Sequence, residues 1–315
     1  MTINRIFNLI NNRKDKRELS GLDRILDVYG KKRKHYPTIL ILGDSVLERI
    51  SKNDNDTRSL SQMITEGKEN QILAVSGTAC NPKLYYYIVR LLSKTVAKPK
   101  NIIFCINSRS FSPQWDLNPE WQHQNLICQL KRNFRREFRF SRKALSIKKS
   151  EELFNNKICR FYHSPFSRIG YFQLIKAAHA EGATQEKLRY KALFIYHYNY
   201  ILDDSNQQLR YYCKLLDILM KSGINTVSYI TPVNYEAGLR FVGKQFLIPF
   251  RQNIRKIEKY HKKLARKNSF HDYSLLLGSE YFFHNNIPIE HLNSSGRKIL
   301  SEVISNKIIR LMNKT

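Results

Sequence analysis

Thr38-Ile39-Leu40-Ile41-Leu42-Gly43-Asp44-Ser45 is the stretch that decides the fold. Its first part is a continuous apolar run with no polar alternation, closed by a glycine. A short segment apolar on every position suits a strand buried on both faces, as in a parallel sheet. The pattern recurs along the chain. Gln71-Ile72-Leu73-Ala74-Val75 ends at Ser76-Gly77, Asn101 to Ile106 ends at Asn107, and Thr226 to Ile230 ends at Thr231-Pro232. Between these runs Leu84, Ile88, Leu91 and Leu92 recur at helical spacing, and Leu209 to Met220 reads as a helix stopped by Gly223. Strand, helix, strand, helix at this spacing predicts an α/β fold with a parallel sheet. In such sheets ligands bind off the carboxyl ends of the strands. Those ends carry Ser45, Gly77, Asn107 and Pro232-Val233-Asn234.

Outward from this core, residues 1–36 form a polar, basic leader with Leu22, Ile25, Leu26 and Tyr29 at helical spacing, then Lys31-Lys32-Arg33-Lys34. The α/β domain is expected over 37–315. Between the third and fourth strands the chain is too long for a simple crossover, and 113–204 is read as an inserted helical cap over the active face. Lys131 to Lys149 concentrates basic residues with interleaved phenylalanines, and Arg135, Arg136 and Arg139 are its candidate substrate-binding residues.

Hydrophobic residues make up 42% and aromatics 12% of the 315 residues, which excludes wholesale disorder. The formal net charge of +28 favours polyanionic partners, although drift in a chain rich in Lys, Asn and Ile explains the same excess. No stretch approaches the roughly 20 apolar residues of a membrane span. The first dozen residues do not fit a signal peptide, so the expected compartment is the cytoplasm. Cys80, Cys105, Cys128, Cys159 and Cys213 lack any C-x-x-C pair, which argues for free, mostly buried thiols. The histidines lack metal-binding spacing, so no metal is expected.

Four residues carry the candidate chemistry. Ser45 can present its hydroxyl at the sheet edge as a nucleophile. Gly77 can bring its N–H to a substrate oxyanion, and the Asn107 amide can donate to the same atom. His291, in Glu290-His291-Leu292-Asn293-Ser294-Ser295-Gly296 ahead of the helix Lys298–Met312, can act as general base. Each also has an ordinary structural role. Asp44 or Ser45 can cap a helix Val46–Ile50, Gly77 can be a turn glycine, Asn107 can close an Asx-turn, and His291 can be a half-buried loop histidine.

In combination, Gly43-Asp44-Ser45, Gly77, Asn107 and His291-Leu292-Asn293-x-x-Gly296 resemble the blocks of the SGNH (GDSL-like) hydrolase superfamily, over 38 to about 112 and 205 to about 310. Ile230-Thr231-Pro232-Val233-Asn234 and Phe270-His271-Asp272-Tyr273-Ser274 are similar to the branch acting in cell-envelope glycan or teichoic acid acylation. The resemblance implies a flavodoxin-like three-layer sandwich, a Ser45 nucleophile, and an oxyanion hole from Ser45 N–H, Gly77 N–H and the Asn107 amide. It implies no cofactor. The family's usual aspartate, three positions before the histidine, is replaced here by Pro288. The orienting acid is then Glu290 through a bent loop or Asp272, or a Ser–His dyad works without one, or the chain is an inactive relative.

Two functions of different class follow. One is a serine esterase or O-acyltransferase on an acylated, anionic carbohydrate, with peripheral contact to an anionic membrane as an option. The other is a polyanion-binding protein on a degenerate SGNH scaffold, gripping nucleic acid or acidic glycan through the basic aromatic insert. The absence of a recognised nucleic-acid module disfavours nucleic acid.

Overall fold

The structure is a computed structural model that describes residues 24–31, 34–95, 97–117, 119–120, 123–132, 186–265 and 270–312. Five strands, β1 (Ile39–Gly43), β2 (Ile72–Ser76), β3 (Asn101–Ile106), β4 (Asn225–Ile230) and β5 (Phe270–Asp272), form one sheet in the order β2-β1-β3-β4-β5. Every pairing is parallel. This is the flavodoxin-like, doubly wound order, whose switch point lies between β1 and β3. Register keeps the carboxyl ends level there, with Leu42 opposite Val75 on one side and Phe104 on the other.

The apolar runs form strands because both faces of the sheet are covered. Leu40, Leu42, Leu73, Val75, Ile102 and Phe104 enter one core. Their alternating neighbours Ile39, Ile41, Ile72, Ala74, Ile103 and Cys105 enter the other. The first core is closed by the helices Pro82–Leu92, Gln207–Lys221, Tyr235–Val242 and Leu247–Leu264. The second is closed by Leu60–Thr65 and Ser294–Met312. The result is a three-layer sandwich. Each fully buried Ile or Leu contributes roughly 1.5–3 kcal/mol, so β1, buried along its whole length, is a major stabilising element.

Local signals match the sequence where they are strong. Asn81 caps its helix by accepting from Lys83 N and Leu84 N, with Pro82 in the first turn. Gly223 takes φ +66 just past Lys221, the left-handed stop that glycine permits. In the leader, a helix over 24–29 buries Ile25, Leu26 and Tyr29 in the first core. The Tyr29 hydroxyl donates to the Pro37 carbonyl at 2.9 Å.

Within the insert the described helices are Pro113–Leu117, Gln124–Arg132 and Glu186–Tyr198. The last packs on Tyr235–Val242 through Tyr190 and Phe194 against Phe241, with ring centroids 5.1 and 6.2 Å apart. Arg135, Arg136 and Arg139 lie outside the described residues, as does Cys159. Of the other cysteines only Cys105 is fully buried and Cys128 is exposed, so the expectation of mostly buried thiols fails for these four. No described helix is long and apolar enough to cross a membrane.

Candidate active site

Gly43 ends β1 where a side chain has no room. A Cβ there would sit 2.4 Å from Leu47 Cδ1 and 3.2 Å from Cys105 Cβ. The close approach lets Leu47 fold under the strand end and turns the chain sharply into Asp44-Ser45. The expected helix Val46–Ile50 is instead a single 3-10 turn, Ser45–Leu47. Asp44 is its cap, accepting from Val46 N at 3.0 Å through one carboxylate oxygen. Its other oxygen accepts from Asn107 Nδ2 at 3.0 Å. Both oxygens are thus committed inside the wall. Burial pushes the Asp44 carboxyl up to about 6, against the lowering by these two donors.

Asn107 plays its structural role as well, since its Oδ1 accepts from Arg109 N at 2.9 Å. Asp44 and Arg109 together fix the orientation of the amide at the end of β3. After β2, Gly77 is not among the residues lining the cleft, but Thr78 and Ala79 are. Ala79 has φ 59, a left-handed conformation costing an L-residue about 1–2 kcal/mol. His123 holds this lip through its Nε2 and the Thr78 carbonyl, 3.1 Å apart. Neither the Ser45 nor the Gly77 amide N–H has an acceptor among the described residues.

From the far end of the sequence comes His291, whose Nε2 lies 3.0 Å from Ser45 Oγ. The Phe283 ring stands 5.8 Å from the imidazole, and Phe283 N donates to the His291 carbonyl at 3.1 Å. Gly296 lets this loop close, because a Cβ there would lie 2.5 Å from the Tyr281 carbonyl oxygen. Burial holds the His291 pKa below its ordinary value. Glu290 opposes that shift, while Arg49 and Arg109 reinforce it.

The loop is locked by a residue the sequence did not flag. Arg297 is fully buried. Its Nη1 lies 2.6 Å from Asp54 Oδ2 and donates to the Leu292 carbonyl at 3.0 Å. Nη2 and Nε donate to the carbonyls of Asp56 and Arg58 at 2.6 and 3.0 Å. One guanidinium therefore ties the histidine loop to the segment that follows Ser45. An arginine early in an amphipathic helix gives no hint of this, because its acceptors are mostly backbone carbonyls from remote sequence.

Glu290 is buried but turned from the histidine. One carboxylate oxygen accepts from the Tyr198 hydroxyl, and the other lies 3.7 Å from Arg109 Nη1. Asp272 is exposed and accepts from Ser274 N and Oγ. Among the described residues no carboxylate is hydrogen-bonded to His291, so the Ser45–His291 pair has the geometry of a dyad. The residues meet in a cleft of about 230 Å³ lined by Asp44, Ser45, Arg49, Thr78, Ala79, Asn107, Arg109, Ser110, Trp115, Glu290 and His291. It sits at the switch point between β1 and β3, where a doubly wound sheet opens a crevice. No His/Cys/Asp/Glu cluster suited to a metal occurs among the described residues.

No family model and no curated protein matches the chain. Among solved structures it is similar to a protein from Bacteroides fragilis NCTC 9343 provisionally described as an acylhydrolase. The two share 10% identity with a TM-score of 0.42, over 95% of this chain and 99% of that chain.

Proposed function

We propose that this protein is an SGNH-type serine hydrolase, an esterase or O-acyltransferase acting on an acylated carbohydrate such as a cell-envelope glycan. The observation that carries the proposal is the 3.0 Å contact between Ser45 Oγ and His291 Nε2 at the sheet's switch point. His291, neutral at pH 7 because its pKa lies below the ordinary value, takes the Ser45 proton as Oγ attacks the ester carbonyl. The oxyanion so formed is stabilised by the Ser45 N–H, by the Asn107 amide hydrogen not engaged by Asp44, and by an N–H of the Gly77–Ala79 lip. Protonated His291 then gives its proton to the departing alkoxide, leaving acyl-Ser45 and a free alcohol. Water or a sugar hydroxyl, deprotonated by His291, takes the acyl group, and the proton returns to Ser45. Trp115, 8% exposed, is among the residues lining the cleft where the sugar would bind. The direct test is covalent labelling of Ser45 by a fluorophosphonate, read by mass spectrometry, with 4-nitrophenyl acetate turnover. Absence of both would remove the proposal.

The environment of His291 gives a pH prediction with a definite sign. The acid limb of kcat/KM should have its midpoint below 6.5, because the base must be neutral and burial favours the neutral form. Arg49→Gln removes a positive charge that lowers the pKa and should move the midpoint up. Glu290→Gln removes the opposing negative charge and should move it down. Burial pushes the Asp44 carboxyl up to about 6, in the same range, so the quantity read is each variant's difference from wild type with Asp44 the same in all. Shifts in the same direction for both variants would discard the assignment of His291 as the titrating base.

Asp44→Asn tests how the Asn107 amide is aimed. Asparagine can still accept from Val46 N, but its own NH2 then meets the NH2 of Asn107. A loss of about 100-fold in kcat is expected, the low end for a misplaced oxyanion donor. The stability loss should be about 1–3 kcal/mol for the unpaired buried donors. Turnover and thermal unfolding both like wild type would show that Arg109 N alone sets the amide.

A further inference from the structure

The acidic and basic residues around the cleft are disposed unequally. Asp44 and Glu290 are 4% and 3% exposed; three of their four oxygens are engaged by Val46, Asn107 and Tyr198 within the wall, and the fourth, Glu290 Oε2, forms a long ion pair with Arg109. Arg49 and Arg109 line the same cleft with their side chains partly or largely open. Arg49 N donates to the Ser45 carbonyl at 2.9 Å, so its side chain leaves the backbone one turn beyond Ser45. No hydrogen bond or ion pair joins that side chain to a carboxylate among the described residues. Arg109 is anchored at its backbone by Asn107, and its side chain is 32% exposed. Its Nε–H is buried without an acceptor. Its nearest acid, Glu290, is 3.7 Å away, beyond hydrogen-bond length. Two guanidinium groups without hydrogen-bonded carboxylates therefore flank one cleft, and guanidinium is the side chain suited to bidentate capture of carboxylate or phosphate.

We propose that Arg49 and Arg109 form an anion-binding pair beside Ser45 and His291, selecting a substrate that carries a carboxylate or phosphate close to the ester it presents. This rests on the hydrolase assignment for its kinetic consequence but not for binding. The anion belongs to the same small unit as the ester, because a cleft of about 230 Å³ holds little more than one sugar ring with its acyl group. Bound there, it orients the ester carbonyl toward Ser45 and balances the two positive charges near His291.

The test compares 4-acetoxybenzoate, 4-acetoxyphenyl phosphate and neutral 4-acetoxybenzamide with wild type, Arg49→Gln, Arg109→Gln, the two Arg→Lys variants, and the exposed control Arg251→Gln. The quantity read is the ratio of kcat/KM for each anionic ester to that for the amide-bearing one. Wild type and Arg251→Gln should favour an anionic ester about tenfold, as a charge-assisted contact provides. The ratio should fall toward one in each Gln variant, and each Lys variant should keep part of it. A preference for carboxylate or for phosphate alone identifies the anion. A wild-type ratio near one, or a ratio that survives both Gln changes, overturns the proposal. Binding separates this from the chemistry: benzoate and phenyl phosphate, but not benzamide, should shift the His291 ring signals in the NMR spectrum of Ser45→Ala, and not when Arg49→Gln or Arg109→Gln is added. Wild type that turns over none of the esters, with those shifts present, sinks the hydrolase assignment and keeps the anion site. Absence of the shifts sinks the anion site itself.

Discussion

Ser45→Ala is expected to lower kcat on any accepted ester by about 10⁴-fold or more, with the thermal unfolding midpoint unchanged. Ser45 lies half-buried at the head of a one-turn 3-10 segment, and its hydroxyl makes one side-chain hydrogen bond, to His291. Alanine removes that bond without opening a cavity in either core. What remains is the oxyanion hole and binding, which in a serine enzyme retain only a small residue of the rate. The check is kcat with 4-nitrophenyl acetate beside circular-dichroism melting. A variant that retained most of its turnover would show that another group accepts the acyl chain.

Arg297→Met is the change expected to cost the fold most. A fully buried guanidinium serves Asp54 and the carbonyls of Leu292, Asp56 and Arg58. Methionine fills much of the volume but leaves three carbonyls without the Arg297 donor and a nearly buried Asp54 carboxylate with only the longer Ser51 N bond of 3.3 Å. Breaking a buried pair from one side typically costs about 3–5 kcal/mol, here a fall in Tm of about 5–8 °C. Asp54→Asn should cost less, because it leaves the carbonyl contacts in place. The comparison needs only melting curves for the two variants. Equal and small losses would mean that the histidine loop is held by Gly296 and the Phe283 backbone bond instead.

The strands that position the site were legible because they are buried on both faces, which leaves an unbroken apolar run in the sequence. β3 was read to the residue, and β1, β2 and β4 to within one. β5 falls within the Phe270 to Ser274 motif and has no apolar run of its own. Three residues at a sheet edge, one buried, carry no period to detect. Ser45, Asn107 and His291 meet in one cleft because each falls after a strand or before a helix, and topology brings such ends together. The geometry around Glu290 was not legible. Adjacency to His291 says nothing of where its carboxylate turns, and its partner Tyr198 comes from a helix 92 residues away in the chain. Gly77 marked the right loop, while the residues at the cleft are the next two. Arg49 and Arg109 follow Ser45 and Asn107 by four and two residues, yet among so many basic residues charge alone does not single them out.

The contact between Ser45 and His291 spans 246 positions. Closing a loop of that length carries an entropic cost that nearby strands do not bear. Ser45 is placed by the pairing of β1 with β2 and β3. His291 is placed by the Ser294–Met312 helix and by Arg297, which engages the segment beyond Ser45. Separate sets of long-range contacts thus hold the hydroxyl and the imidazole. If the pair acts as proposed, a chain without that docked helix holds an inert alcohol, and the proposed acyl chemistry depends on completion of the fold and not on the presence of its parts.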